Sequence, residues 1–247
     1  MLPRSPRHDC ASKYARAGLF KQLSSFAELE RRIAQLATEK ERGDAFEVFA
    51  EAYLSTDEMV QAADVWGTGT VPAEIRRKLN LPANDYGYDG VFRTKLDELV
   101  PYQVKFRSDR APLPYTELAT FFGISEKADR RVVLMNSIAM SAVAESRTDF
   151  QTTRGGDFDR LDAAQLAVIG AWIDGTPPAP LVREPRLHQR DALKDIASEL
   201  AVNDRATVVM ACGTGKTLVA LWAAEAAQPR RVLVLVPSLN LIRQTLH

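Results

Sequence analysis

Two neighbouring segments, residues 85–93 and 101–107, alternate apolar and polar side chains and carry Asp89, Gln103 and Lys105. This alternation has a period of two residues and predicts strands with one apolar and one polar face. The connection between the segments is long enough to return the chain. An antiparallel pair is therefore expected, with Asp89 close to the face that carries Gln103 and Lys105.

These three side chains supply a carboxylate, an amide oxygen and an ammonium group. Carboxylate and amide oxygens are hard ligands that suit Mg²⁺. An ammonium group can orient an attacking water molecule or offset the charge that develops on a phosphate. The residues therefore predict metal-dependent hydrolysis of a phosphodiester. The alternative is a solvated hairpin in which the lysine and the aspartate pair across the strands, an interaction worth little.

The spacing of Asp89, Gln103 and Lys105 resembles the D…QxK form of the PD-(D/E)XK nuclease motif. More narrowly, it resembles Mrr-like restriction endonuclease domains, in which glutamine replaces the usual second acid. The resemblance implies that Asp89 and Gln103 hold a catalytic Mg²⁺ and that Lys105 is the catalytic cation.

The sequence G-D-A-F-E that ends at Glu47 is similar to the opening helix of Mrr-like domains. This resemblance implies that Glu47 is a further catalytic residue and metal ligand. The alternative is an ordinary carboxylate on the flank of a helix. The whole likeness runs over about residues 43–136 and implies an α/β fold, a mixed sheet with flanking helices.

A second group of residues that could carry out chemistry is the sequence A-C-G-T-G-K-T at 211–217. Gly213 and Gly215 allow backbone N–H groups to curl around phosphate oxygens. Lys216 reaches the β- and γ-phosphates, Thr217 binds the Mg²⁺ of the nucleotide, and the following helix adds its dipole. The pattern predicts a phosphate-binding loop for ATP.

Met210 stands where the consensus loop has its first glycine, and in this form the loop resembles those of superfamily 2 helicases and restriction-enzyme motor subunits. Gln189 resembles the upstream glutamine that reads adenine in that group. The segment beginning at Pro237-Ser238 resembles a motif that touches the DNA backbone. The implied ATP-binding residues are Gln189, Gly213, Thr214, Gly215, Lys216 and Thr217.

The order of nuclease and then motor resembles the N-terminal part of single-chain ATP-dependent restriction enzymes, above all the type ISP enzymes. Double-stranded DNA and ATP are the implied partners, and the oligomeric state stays open. The sequence carries no acidic box after the loop and no second motor lobe. We therefore expect weak nucleotide binding without turnover, a less stable half after residue 180, and a chain that is part of a longer protein or a truncated product.

Lysine and arginine total 32, as do aspartate and glutamate, so net charge gives no sign of a nucleic-acid partner. Any basic surface must be local, and Arg107, Arg110 and Ser238 are the expected DNA contacts. Cys10 and Cys212 form no disulfide framework and no metal-binding spacing. No signal peptide or membrane span is evident, which predicts a cytoplasmic protein without a membrane partner.

The chain is predicted to have four parts: an N-terminal loose arm at 1–22, an Mrr-like nuclease domain at 23–174, a proline-rich linker at 175–182 and the start of a RecA-like ATPase domain at 183–247. In the nuclease domain, periodicity predicts helices at 25–36, 72–79, 115–122 and 161–173. A further helix is predicted to begin at 44, after an interruption at Gly43, and strands are predicted at 60–66 and 131–135. In the last part it predicts helices ending at 200 and 227 and strands at 206–210 and 232–236.

Two other functions remain open. The first is a helicase or remodeller whose N-terminal domain binds DNA without cutting it. The second is a fragment that is neither a motor nor a competent nuclease.

Overall fold

The computed structural model describes residues 6, 8–57, 60, 62–83, 87–176, 184–211 and 214–235. The chain divides into two units, Met1–Leu181 and Val182–His247, and each is treated by itself.

The helices of the first unit are α1 (Ala11–Arg16), α2 (Phe26–Ala34), α3 (Glu39–Thr56), α4 (Ala73–Leu79), α5 (Ala119–Ile124), α6 (Ala142–Glu145), α7 (Gly155–Phe158) and α8 (Ala163–Ile173). Its strands are β1 (Ala62–Gly67), β2 (Gly90–Thr94), β3 (Leu99–Lys105), β4 (Val132–Met135) and β5 (Gln151–Thr153). The second unit has α9 (Leu187–Leu200) and α10 (Lys216–Ala227).

The five strands form one mixed sheet in the order β1-β2-β3-β4-β5. Strand β2 is antiparallel to both β1 and β3, whereas β4 is parallel to β3 and β5 is parallel to β4. Tyr102 and Val104 bury one face of β3 in a core cluster shared with α3 and α8. Val91 and Val133 belong to a second cluster, on the opposite face, with residues of α5. The predicted mixed α/β class is confirmed.

Helix α3 begins five residues before the predicted start at 44. The Thr38 side chain accepts a hydrogen bond from Glu41 N–H at 3.1 Å and so caps the helix at Glu39. Gly43 lies inside α3 and does not interrupt it. A glycine there costs about 1 kcal/mol relative to alanine, and the buried apolar side chains that follow it in α3 offset this cost.

The prediction of a loose N-terminal arm is wrong for the described residues between 8 and 22. Helix α1 forms there, and Tyr14 is 1% exposed within the same core cluster as Leu19 and Phe20. The Tyr14 hydroxyl also donates to the Glu41 carbonyl at 3.0 Å. These apolar residues have no regular period, so their burial against α3 and α8 is not visible in the sequence.

Other elements also differ from the prediction. A 3₁₀ turn (Tyr115–Glu117) precedes α5, and α5 runs through Gly123 where an end was expected. Strand β5 was not predicted, because its three residues are too few to show an alternation. Helix α8 starts after Asp162, which caps it by accepting from Gln165 N–H at 2.8 Å.

In the second unit, α9 and α10 form close to the predicted positions, but the strands expected at 206–210 and 232–236 do not appear among the described residues. A strand needs a backbone partner for its N–H and C=O groups, and the described part of this unit supplies none for either segment. Several apolar side chains are exposed as a result, such as Val209 at 91% and Leu235 at 83%. The predicted linker lies largely outside the described residues, at 177–183. No helix in the described ranges is long and apolar enough to cross a membrane.

Candidate active site

The register of β2 and β3 brings Asp89 next to Gln103. Gly90 pairs with Tyr102, so Asp89, one residue earlier, lies opposite Gln103. The Asp89 N–H donates to the Tyr102 carbonyl at 3.0 Å, and the Asp89 carboxylate accepts from Val104 N–H at 2.6 Å through Oδ2. These two bonds fix the carboxylate beside β3 at the point where β2 begins.

Gln103 is 3% exposed, and no donor in the described part of the chain reaches its Oε1 atom. Such a buried oxygen without a partner is uncommon in native proteins and calls for an explanation such as an ion. Lys105 follows two residues later and is half-buried, on the same face of β3 as Gln103. The sheet therefore holds a carboxylate, a free amide oxygen and an ammonium group in one row.

Glu47 lies on α3, the helix that packs against β1 and β3. Its side chain is 30% exposed and is bound to His8 Nε2 at 3.1 Å. The pKa of Tyr102 is raised well above its usual value, first by burial and then by the charges of Glu51, Asp89 and Glu47. The two acids of α3 and Asp89 are therefore within electrostatic range of one buried hydroxyl.

His8 was missed by the sequence analysis. Burial by itself lowers the pKa of His8, but the hydrogen bond and charge of Glu47, with the charges of Glu51 and Asp44, raise it overall. The contact joins residues 39 positions apart, and no motif connects them. A second missed residue is the acid Glu51, which lies one helical turn after Glu47 and is 2% exposed. Its spacing of four residues from Glu47 was the signal that the sequence offered.

Among the described residues, no three histidine, cysteine, aspartate or glutamate side chains cluster closely enough to hold a metal ion by themselves. Mg²⁺ does not require such a cage, because it keeps several waters and binds through one or two carboxylates together with substrate phosphates. The pair of Asp89 and the partnerless Gln103 Oε1 fits this kind of binding.

The arginines expected to contact DNA are engaged in ion pairs. Arg107 pairs with Glu117. Arg110 donates to Glu30 at 2.8 Å and to Asp159 at 2.7 Å, and these hydrogen bonds raise the pKa of its guanidinium. Two carboxylates around one guanidinium leave this cluster with a negative charge, which favours a structural role for Arg110. Ser238 lies outside the described residues.

In the second unit, the phosphate-binding sequence leads directly into α10. Gly215 has a φ of +82° as the residue before the helix, a backbone conformation that glycine adopts without strain. Lys216 Nζ donates to the carbonyls of Met210 at 3.2 Å and Ala211 at 2.9 Å. Thr217 is exposed in the first turn of α10. Gly213 lies outside the described residues.

Gln189 holds this loop from α9. Its Nε2 atom donates to the Thr214 carbonyl at 2.9 Å, and its Oε1 atom accepts from Arg186 N–H at 2.9 Å. A Cβ atom on Gly215 would lie only 2.5 Å from Gln189 Nε2. Both ends of the buried amide are thus used within the chain, so the predicted contact with adenine requires Gln189 to leave Thr214.

Parts of the chain are similar to known proteins. Residues 183–247 match the family described as "Type III restriction enzyme, res subunit". Over 64 residues the chain is 46% identical to "Probable helicase A859L" of African swine fever virus (isolate Pig/Kenya/KEN-50/1950). These matches support a restriction-type superfamily 2 helicase/ATPase region in the second unit.

A solved structure, "ATP-dependent Type ISP restriction-modification enzyme LlaBIII bound to DNA", has a TM-score of 0.56 and 22% identity over 91% of this chain. The likeness extends across both units and concerns the fold. The chain spans 8% of the viral helicase and 14% of the restriction-modification enzyme.

Proposed function

We propose that the first unit is a Mg²⁺-dependent endonuclease for double-stranded DNA with a PD-(D/E)XK fold, and that the second unit belongs to the ATP-dependent motor of the same enzyme. The observation that carries the nuclease proposal is the row formed by Asp89, Gln103 and Lys105, with the Gln103 Oε1 atom buried and unpartnered. Stability alone does not explain this oxygen, because a buried polar atom without a partner costs about 1–3 kcal/mol.

The order of elements around the row supports the proposal. Helix α3 precedes three antiparallel strands, and β4 then lies parallel to β3. This is a mixed sheet with flanking helices, the architecture that the motif resemblance implies. Asp89 stands at the start of β2 and the Gln-x-Lys pair on β3, so the motif residues of two strands meet at one place.

Each side chain has a distinct part in the proposed mechanism. Asp89 and Gln103 would hold the metal ion, and Glu47 would reach it from α3. A bound Mg²⁺ supplies charge neutralisation at the phosphate and a more acidic water molecule. Lys105 orients the attacking water and offsets negative charge on the phosphate oxygens. Val104 N–H donates to Asp89 Oδ2 and so fixes the carboxylate beside β3.

The second unit is proposed to bind ATP with Mg²⁺. Lys216 and Thr217 would contact the phosphates and the ion, and Gly213, Thr214 and Gly215 would form the backbone cradle, next to Gln189. The family match over 183–247 supports this assignment. Arg107 and Ser238 are proposed contacts to the DNA backbone, since the neighbour of known structure was solved with DNA.

A second candidate is a helicase or translocase whose first unit binds DNA without cutting it. The match to a restriction-enzyme subunit over residues 183–247 and the match to a probable helicase favour it. The first candidate cleaves the DNA, whereas the second binds it and leaves its backbone intact.

The decisive assay incubates the 247-residue chain with supercoiled plasmid and Mg²⁺. We expect nicked and linear products with Mg²⁺ or Mn²⁺ and none with EDTA, because the site needs a divalent ion to offset the phosphate charge. A gel-shift measurement on the same samples reports DNA binding. Binding with intact plasmid under all metal conditions favours the second candidate.

Gln103→Glu tests the metal site without a cleavage assay. The new carboxylate would be buried beside Asp89, so in EDTA we expect the unfolding free energy to fall by about 3 kcal/mol. Mg²⁺ should restore most of this loss by pairing with both acids. Thermal unfolding at increasing Mg²⁺ measures the effect, with Gln35→Glu as the same change at an exposed position. Equal Mg²⁺ responses in wild type and Gln103→Glu would place Gln103 outside the metal site.

A further inference from the structure

We propose that His8 is a positioning residue for the nuclease site: its imidazole holds one oxygen of the Glu47 carboxylate and leaves the other for the metal ion. This inference rests on the proposed nuclease function of the first unit. It assigns a role in that site to the segment before α1, which carries none of the motif residues.

The contact between His8 and Glu47 is direct and sheltered. The His8 Nε2 and Glu47 Oε2 atoms are 3.1 Å apart, and the two side chains are 17% and 30% exposed. Within the described residues, Glu47 has no other hydrogen-bond or ion-pair partner. The direction of this carboxylate therefore depends on His8.

The hydrogen bond that His8 Nδ1 makes determines that Nε2 is the donor to Glu47. Cys10 N–H points at His8 Nδ1 at a distance of 3.2 Å, so Nδ1 accepts and the neutral ring carries its proton on Nε2. The Nε2–H group then donates to Glu47. In histidine, the hydrogen bond made by one ring nitrogen sets the protonation of the other.

The segment that carries His8 is anchored along α3. The His8 backbone N–H donates to Glu51 Oε2 at 3.0 Å, one turn beyond Glu47. Closer to the start of α3, the buried Tyr14 donates to the Glu41 carbonyl at 3.0 Å, whereas the exposed pair of Lys13 and Glu41 contributes little to this anchoring. The imidazole is thus held at three levels of the helix, which makes it a fixed donor and not a chance surface contact.

The physical reason for such a donor is the freedom of a glutamate side chain. Three rotatable bonds separate the Glu47 carboxylate from the α3 backbone, and ordering them opposes metal binding. A hydrogen bond to one oxygen removes much of that freedom in advance. Loss of such outer partners typically costs 10–100-fold in metal affinity or activity.

The test compares the wild-type chain with His8→Ala, His8→Gln and Lys13→Ala. For each protein, plasmid cleavage is measured over a range of Mg²⁺ concentrations, and Mn²⁺ binding is measured by calorimetry. We expect His8→Ala to raise the half-saturating metal concentration about 10-fold or more. His8→Gln should restore it, because a glutamine Nε2–H can take the place of the imidazole donor. Lys13→Ala removes another contact of the same segment and should match wild type.

The outcomes separate the inference from the proposed function. If wild type neither binds metal nor cleaves DNA, the proposed function and this inference both fail. If wild type is active and His8→Ala has the same metal dependence, the inference alone is overturned. Higher cleavage by His8→Ala at low Mg²⁺ also overturns it, because His8 would then compete with the metal for Glu47. A shift in metal dependence that His8→Gln does not reverse assigns His8 a role in packing instead.

Discussion

Asp89→Asn is expected to lower Mg²⁺-dependent cleavage of DNA by at least about 100-fold without unfolding the protein. Loss of an outer partner of a metal ligand already costs 10–100-fold, and this substitution removes the charge of a proposed ligand itself. Asparagine retains a side-chain oxygen that accepts from Val104 N–H, the bond seen at 2.6 Å. The variant therefore separates the metal-binding charge of Asp89 from its structural hydrogen bond.

Asp89→Ala is a less informative variant at the same position. It leaves the part-buried Val104 N–H without its acceptor, which costs about 1–3 kcal/mol. A loss of cleavage in this variant could then arise from a displaced β3. Urea unfolding of Asp89→Asn and Asp89→Ala measures the loss of unfolding free energy that follows when Val104 N–H has no acceptor.

A matched control lies at the other end of the hairpin. Asp97→Asn makes the same chemical change at an 80% exposed residue in the turn between β2 and β3. The length of β2 separates it from Asp89 by roughly 17 Å. Cleavage by Asp97→Asn should equal that of wild type. Full cleavage by Asp89→Asn in the same assay would remove the nuclease assignment for the first unit.

The strand pair that carries this site was predictable because its information is local. Alternation in residues 101–107 sets the faces of β3, and a short connection makes an antiparallel partner the simplest arrangement. Both features are present in the structure, in which Gly90 of β2 pairs with Tyr102 of β3. The function of Asp89, Gln103 and Lys105 is a separate matter and stays a prediction.

Contacts between distant residues were not predictable in the same way. His8 meets Glu47 only because Tyr14 and its neighbours bury α1 against α3. That packing depends on shape and not on a repeating pattern. Gly43 shows the related limit of propensity: a glycine costs about 1 kcal/mol in a helix, and the burial of Phe46 and Phe49 in the following turns outweighs it.

In the described part of the second unit, two strand-like sequences have no partner strand. Residues 206–211 and 231–235 have the composition of buried parallel strands, yet the described structure leaves Val209 and Leu233 exposed at 91% and 82%. Pairing, more than composition, makes a strand. The phosphate loop is less affected, because Lys216 bonds carbonyls of the loop itself and Gln189 of α9 donates to the Thr214 carbonyl.

Lys216→Ala is expected to weaken nucleotide binding by about 30-fold or more. The truncation of one partner in a hydrogen-bonded charge pair costs at least about 2 kcal/mol, which is roughly 30-fold in Kd. In the free protein, Nζ is held by the carbonyls of Met210 and Ala211. The ammonium group is thus already at the loop, and phosphate oxygens would replace these neutral acceptors with charged ones.

The same substitution should have little effect on folding, since Lys216 is exposed and surface changes usually alter stability by no more than about 0.5 kcal/mol. Titration of the chain with a fluorescent ADP analogue in the presence of Mg²⁺ measures the Kd. Lys194→Ala removes the same charge from an exposed position on α9 and should bind as wild type does. Equal affinities for Lys216→Ala and Lys194→Ala would mean that Lys216 does not contact the phosphates. The nucleotide, if bound, would then lie elsewhere on the unit, and the loop would keep Lys216 only to tie down its own carbonyls.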